Sequence, residues 1–139
     1  MMKIRIWLFD DEKSVLEFLR ELFEAFGYEV FCFESPGKIL ESLNFINSED
    51  QADLIITDIQ MPDMDGMEFV EKLNSSGFDK DNIAVISGYW TEEYSAFAQK
   101  FGVRMFDKPV DIKELLTWVN ERRCCTDSCL CKCLVYEPL

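Results

Sequence analysis

Four places in this 139-residue chain carry side chains that together could handle a phosphoryl group and a hard cation. They are Asp10-Asp11, Asp58, Ser87 and Lys108. Carboxylates crowded into one site repel each other, and their ionised state needs compensation. Magnesium supplies it with oxygen ligands while keeping several waters. Lys108 could pair with Asp58 in the empty site and with a phosphoryl oxygen in the filled one. Ser87 could donate a hydrogen bond to the same group. An aspartate nucleophile, a cation, a lysine and a hydroxyl donor suffice for phosphoryl transfer to a carboxylate. The chain contains no histidine. That excludes Ser-His-Asp and Cys-His catalysis and histidine metal sites, so acid-base work falls to carboxylates, lysine, tyrosine or water.

These residues matter only if the fold brings them together. Leu54-Ile55-Ile56 is a short β-branched run and reads as a buried strand ending at Asp58. Pro62 and Gly66 mark a tight loop, with Gly66 read as a positive-φ position. Met67, Phe69, Val70 and Leu73 then follow at helical spacing. Asp58 thus stands at the carboxyl end of a strand, where ligands bind in open α/β sheets. On its own it would equally suit a turn or capping aspartate.

The same reading applies along the rest of the chain. Ile4 to Phe9 forms a first strand, ending in three acids, Asp10-Asp11-Glu12. Val15, Leu19, Leu22 and Phe26 give a helical face, stopped by Gly27. Tyr28 to Phe33 is a second strand. Ser35-Pro36 starts a helix with Ile39, Leu43 and Ile46 as its apolar stripe. Ile83 to Ile86 is a fourth strand, closed by Ser87-Gly88. Thr91 caps the next helix, with Glu92 and Glu93 in its first turn. Val103 to Phe106 is a fifth strand, and Asp111 to Glu114 resembles a capping box before Ile112, Leu115, Leu116 and Val119.

Five strands alternating with five helices demand a parallel sheet covered on both faces. Right-handed crossovers make this a doubly wound three-layer α/β sandwich. In a parallel sheet the strand ends share one edge, so Asp10, Asp11, Asp58, Ser87 and Lys108 can converge. Composition agrees with a globular domain: 48% hydrophobic and 29% charged residues. Lys and Arg number 14 against 27 Asp and Glu, a net charge of −13. That disfavours nucleic acid and anionic membranes and suits a cation site. With no long apolar run and a poor signal sequence, a cytoplasmic location is expected.

The ordered set of Asp10-Asp11, the loop Asp58-Ile59-Gln60-Met61-Pro62-Asp63-Met64-Asp65-Gly66, Ser87-Gly88 and Lys108-Pro109 resembles a response-regulator receiver domain. The resemblance runs from about Lys3 to about Arg123. It implies a flavodoxin-like, five-stranded sheet of order 2-1-3-4-5. It also implies that Asp58 accepts phosphate from a histidine kinase or phosphotransfer protein. Magnesium would be held by Asp11, Asp58 and the backbone carbonyl of Gln60, with Asp10 acting mainly through bound water. Ser87 would move toward the phosphate, Lys108 would bind a phosphoryl oxygen, and Lys108-Pro109 would be cis. Phe106 stands at the switch aromatic, and a plain core role suits it equally. Gln60 and Tyr89 occupy positions that govern dephosphorylation.

Other readings stay open at this point. A flavodoxin-like enzyme, either a flavoprotein or an aspartate-dependent phosphatase, would use the same fold, but no glycine-rich phosphate loop follows the first strand. Asp63 and Asp65 read as solvated turn acids. The expected organisation is a receiver domain at 1–123 and a cysteine-rich tail at 124–139, too short for an output domain; the chain then acts through protein contacts or is a fragment. The tail holds Cys124, Cys125, Cys129, Cys131 and Cys133. It reads as functionless, with a soft-metal or redox site as the alternative. Trp90, Tyr94, Arg104 and Trp118 suggest a homodimer or target face on the fourth helix, fifth strand and fifth helix, with core cover as the plainer role for Tyr94 and Trp118.

Overall fold

A computed structural model describes residues 4–37, 52–61 and 64–126, with side chains to residue 122. Strand β1 (Arg5–Phe9) leads to helix α1 (Lys13–Ala25) and strand β2 (Glu29–Phe33). Strand β3 (Leu54–Asp58), helix α2 (Gly66–Ser75) and strand β4 (Ile83–Ser87) follow. Helix α3 (Glu92–Phe101), strand β5 (Arg104–Asp107) and helix α4 (Ile112–Thr126) complete the described elements. Beyond Gly37, the helix read from Ser35 onward, with Ile39, Leu43 and Ile46, lies outside the described residues, as do Pro62, Asp63 and residues 127–139.

The sheet is parallel throughout, with order β2-β1-β3-β4-β5. This is the doubly wound arrangement and strand order expected. All five residues of β3, and all five of β4, are buried. Such strands read as continuous apolar runs because helices cover both faces. Alternation still assigns each side chain to a face. Ile6, Leu8, Leu54, Ile56, Ala84, Ile86 and Phe106 pack with Leu16, Leu19, Phe23, Leu115, Trp118 and Val119, under α1 and α4. Trp7, Phe9, Ile55, Ile83 and Val85 pack with Phe69, Val70, Leu73 and Ala98, under α2 and α3.

The caps fit the sequence at most ends. Thr91 Oγ1 accepts from the Tyr94 amide at 3.0 Å, and Asp111 Oδ1 from the Glu114 amide at 3.2 Å. Gly27 and Gly102 adopt φ of 91° and 78°, the left-handed stop that a side chain resists. Two expectations need correction. Asp65 is not a free turn acid: its Oδ1 accepts from the Met67 amide at 2.8 Å and caps α2. Gly66 does not have positive φ. A Cβ there would stand 2.5 Å from Ile59 Cα and 2.8 Å from the Asp58 carbonyl oxygen. Glycine is needed because the chain doubles back onto the end of β3, with the Gly66 amide donating to the Ile59 carbonyl at 2.8 Å.

Candidate functional site

Each reactive residue sits at the carboxyl edge of the sheet. Asp10 follows β1, and its amide donates to the Phe33 carbonyl at the end of β2. Asp58 is the last residue of β3, and Ser87 the last of β4. Lys108 follows β5, and its amide donates to the Ser87 carbonyl at 2.9 Å. That bond aligns the end of β5 with the end of β4. The Lys108–Pro109 peptide is cis.

The side chains meet as their strand ends demand. Lys108 Nζ lies 2.8 Å from Asp58 Oδ2 and 3.0 Å from Asp10 Oδ2. Asp10 and Asp58 are only 4% and 6% exposed. Their other oxygens are also engaged. Asp58 Oδ1 accepts from the Gln60 amide at 3.0 Å, and Asp10 Oδ1 from the Glu12 amide at 2.8 Å. Asp10 thus closes a turn ahead of α1 rather than capping it, since the N-cap position belongs to Glu12.

Burial sets the electrostatics. Desolvation pushes the Asp10 carboxyl above its ordinary range, against the opposing pull of the Glu12 amide and Lys108. Burial by itself would lower the Lys108 ammonium, but its hydrogen bonds to Asp58 and Asp10 prevail and hold it above its usual range. The lysine therefore stays charged throughout the neutral range.

Carboxylate oxygens of Asp10, Asp11 and Glu12 lie within 4.8 Å of one another. An all-oxygen, all-carboxylate cluster suits a hard divalent cation and offers nothing to a soft one. An open groove of about 530 Å³ adjoins it, lined by Asp11, Ile59, Gln60, Met61, Met64, Asp65, Glu68 and Tyr94.

Ser87 is 1% exposed. Its Oγ donates to the Tyr89 carbonyl at 2.9 Å and accepts from the Tyr89 amide at 3.0 Å. The hydroxyl is thus turned onto its own loop. Phe106 is buried, edge-on to Trp118 at 6.3 Å, with the Arg104 guanidinium 4.5 Å over its ring. Trp118 is 2% exposed and belongs to the core, which removes it from the suggested partner face. Arg104 is exposed, and Trp90 and Tyr94 are half-buried. Two contacts escape the sequence reading. Glu12 Oε1 reaches Lys108 Nζ at 3.5 Å, and the Trp90 indole N–H donates to the Phe106 carbonyl at 3.3 Å. Glu12 could have been found as the third acid of its run; nothing local marks the Trp90 bond.

Comparison with known proteins gives this edge a family. The sequence matches the response regulator receiver domain over residues 6–120, and the chain belongs to that family. The response regulator protein TodT of Pseudomonas putida is 33% identical over 112 residues, covering 80% of this chain and 47% of TodT. The response regulator MprA of Mycobacterium bovis is 31% identical, covering 83% of this chain and 48% of MprA. The chain spans about half the length of these curated relatives. The receiver domain structure from Methanospirillum hungatei superposes with a TM-score of 0.73 at 29% identity, covering 87% of this chain and 94% of that one. The chemotaxis protein CheY4 of Vibrio cholerae shares the fold, with a TM-score of 0.70 at 23% identity over 86% of this chain and 98% of its own.

Family membership sets aside the flavoprotein and phosphatase readings. Receiver domains are phosphorylated parts of two-component systems and are generally not enzymes. They interact with histidine kinases or phosphotransfer proteins and bind magnesium at an acidic pocket. Among the described residues, no helix is long and apolar enough to cross a membrane.

Proposed function

We propose that Asp58 accepts the phosphoryl group, from a histidine kinase or histidine phosphotransfer protein, and that the chain signals by conformational change and protein contacts. The observation that carries this reading is the meeting of Asp10, Asp58 and Lys108 within 3.0 Å contacts at the carboxyl edge of the sheet. One Asp58 oxygen attacks phosphorus, an O–P bond forms, and the N–P bond of the donor phosphohistidine breaks. The leaving imidazole keeps the electron pair and takes its proton from solvent. Lys108 transfers its hydrogen bond from the carboxylate to a phosphoryl oxygen, a charge-assisted contact in both states. The Gln60 amide keeps the carboxylate oriented through Oδ1. Ser87 donates to the phosphoryl group after turning from Tyr89, and Phe106 changes packing with it.

The carboxylates of Asp10, Asp11 and Asp58, with the Gln60 carbonyl, would hold magnesium. The metal supplies positive charge that offsets the carboxylates as an anionic donor approaches. We place the domain at residues 1–123 and the protein in the cytoplasm, with no direct nucleic-acid contact at a net charge of −13. The surface of Trp90, Tyr94 and Arg104 is the proposed homodimer face. Sedimentation of the beryllofluoride-bound form checks it: a monomer throughout would dismiss the dimer.

The central test uses intact mass after acetyl phosphate. Wild type gains one phosphoryl group in magnesium, as a hydroxylamine-labile acyl phosphate. Asp58→Asn gains none, and a chelator abolishes the gain in wild type. Equal labelling of Asp58→Asn would sink the assignment.

A further inference from the structure

The Ser87 hydroxyl has one proton to donate, and the Tyr89 carbonyl already receives it. Its oxygen also receives the Tyr89 amide. Ser87 therefore cannot donate to a phosphoryl oxygen until its bond to the Tyr89 carbonyl breaks. The turn releases the Tyr89 carbonyl from Ser87, so it is coupled to the loop between β4 and α3.

That loop is fastened at its next residue. Trp90 follows Tyr89, and its indole N–H reaches across to the Phe106 carbonyl on β5, at 3.3 Å. The half-buried ring also packs against the core beneath α2 and α3. The other end of the loop is fixed by Thr91, which caps α3 through the Tyr94 amide. Tyr89 itself is 69% exposed and has no such anchor. The indole bond is thus the one side-chain tie from this loop to β5 among the described residues.

We propose that Trp90 is a positioning residue for phosphoryl acceptance. Its indole–Phe106 bond holds the loop in the form that keeps Ser87 on Tyr89, and its release accompanies the turn of Ser87 toward the phosphoryl group. This rests on the acceptor reading of Asp58. Trp90 acts through Ser87 and touches no reacting atom. A bond present in only one of two states biases their equilibrium by its own net worth. Removing it therefore favours the acceptor-engaged state.

The test measures affinity for beryllofluoride, an acyl-phosphate mimic, in magnesium. Trp90→Phe keeps an aromatic ring and loses the donor. It should bind roughly five-fold more tightly than wild type, since one net hydrogen bond is worth about 1 kcal/mol. General structural damage would weaken binding instead. In a Ser87→Ala background the same substitution should leave affinity unchanged. In the wild-type protein, the Trp90 indole proton should shift and exchange faster on binding. The indole signal of Trp7, 2% exposed and on the other face of the sheet from Phe106, serves as an internal reference. This second measurement stands even if Trp90→Phe fails to fold. Equal or weaker binding by folded Trp90→Phe, an undiminished effect in Ser87→Ala, or an unmoved Trp90 proton would overturn the proposal. If wild type binds no beryllofluoride in magnesium, the acceptor reading fails first and takes this inference with it.

Discussion

Replacing Lys108 by methionine isolates the electrostatics of the site. The methionine stem fills most of the lysine volume, so the change removes charge without opening a large cavity. It strands two carboxylates that are 4% and 6% exposed and now face each other without the cation between them. Breaking a buried ion pair from one side costs roughly 3–5 kcal/mol. Two features place this case near the lower limit. The lysine side chain is 20% exposed, so water can reach the gap, and each aspartate keeps a backbone donor. A loss of about 3 kcal/mol is therefore expected at pH 7, which a domain of ordinary stability survives.

The pH dependence is the sharper part of that test. In the variant, Asp10 loses the Lys108 pull that opposes its desolvation and binds a proton more readily in the folded state than in the unfolded one, so stability falls as pH rises through its raised range. The deficit against wild type should shrink toward pH 5. In wild type the Lys108 pKa is raised, so its contribution is complete below the ordinary lysine value and is lost only as pH climbs through the raised one. The deficit should thus shrink again in strong alkali. Urea unfolding in chelator across this range reads it directly. A variant as stable as wild type at pH 7, or a deficit of constant size from pH 5 to pH 7, would refute the reasoning.

Three further outcomes follow from the geometry. Gly66→Ala should cost about 2–3 kcal/mol by urea unfolding, because the new methyl meets backbone of Asp58 and Ile59 that cannot swing aside. Thr91→Ala should cost about 1 kcal/mol through the lost cap of α3, with a matching fall in thermal midpoint. Asp10→Asn should be more stable than wild type at neutral pH, since burial raises the Asp10 pKa and its charged form opposes folding. That gain should vanish as pH drops below the ordinary carboxylate value, and a variant less stable than wild type at pH 7 would contradict it.

The strands were legible because burial on both faces leaves a plain mark: Leu54-Ile55-Ile56 and Ile83 to Ile86 are unbroken apolar runs. Two of the misreadings had local signals. Asp65 stands three residues before Glu68, the spacing of a capping box at the start of α2. Trp118 lies three residues beyond Leu115 and so shares its helical stripe, in line with the core-cover role also open to it in the sequence; the enrichment of aromatics in contact faces pointed the other way. Gly66 had no complete local signal. Its requirement comes from the chain returning onto Ile59, a contact set by tertiary structure.

The site divides in the same way. Residue type and strand order bring Asp10, Asp58, Ser87 and Lys108 to one edge, because parallel strands all end there. Pattern therefore suffices to name them. Their state is a different matter, decided by donors that pattern does not display. Asp58 is oriented by the Gln60 amide, Asp10 by the Glu12 amide, and Ser87 is turned away by its own neighbour Tyr89. The Lys108 amide hangs on the Ser87 carbonyl, so the backbone of the cationic residue is tied to the residue whose hydroxyl turns in the proposed mechanism. The proposed rotation of Ser87 would thus take place on a backbone held to β5. In that mechanism the turn frees the Tyr89 carbonyl, which places the freedom of the proposed switch at Tyr89 and Trp90 rather than at the carboxylates.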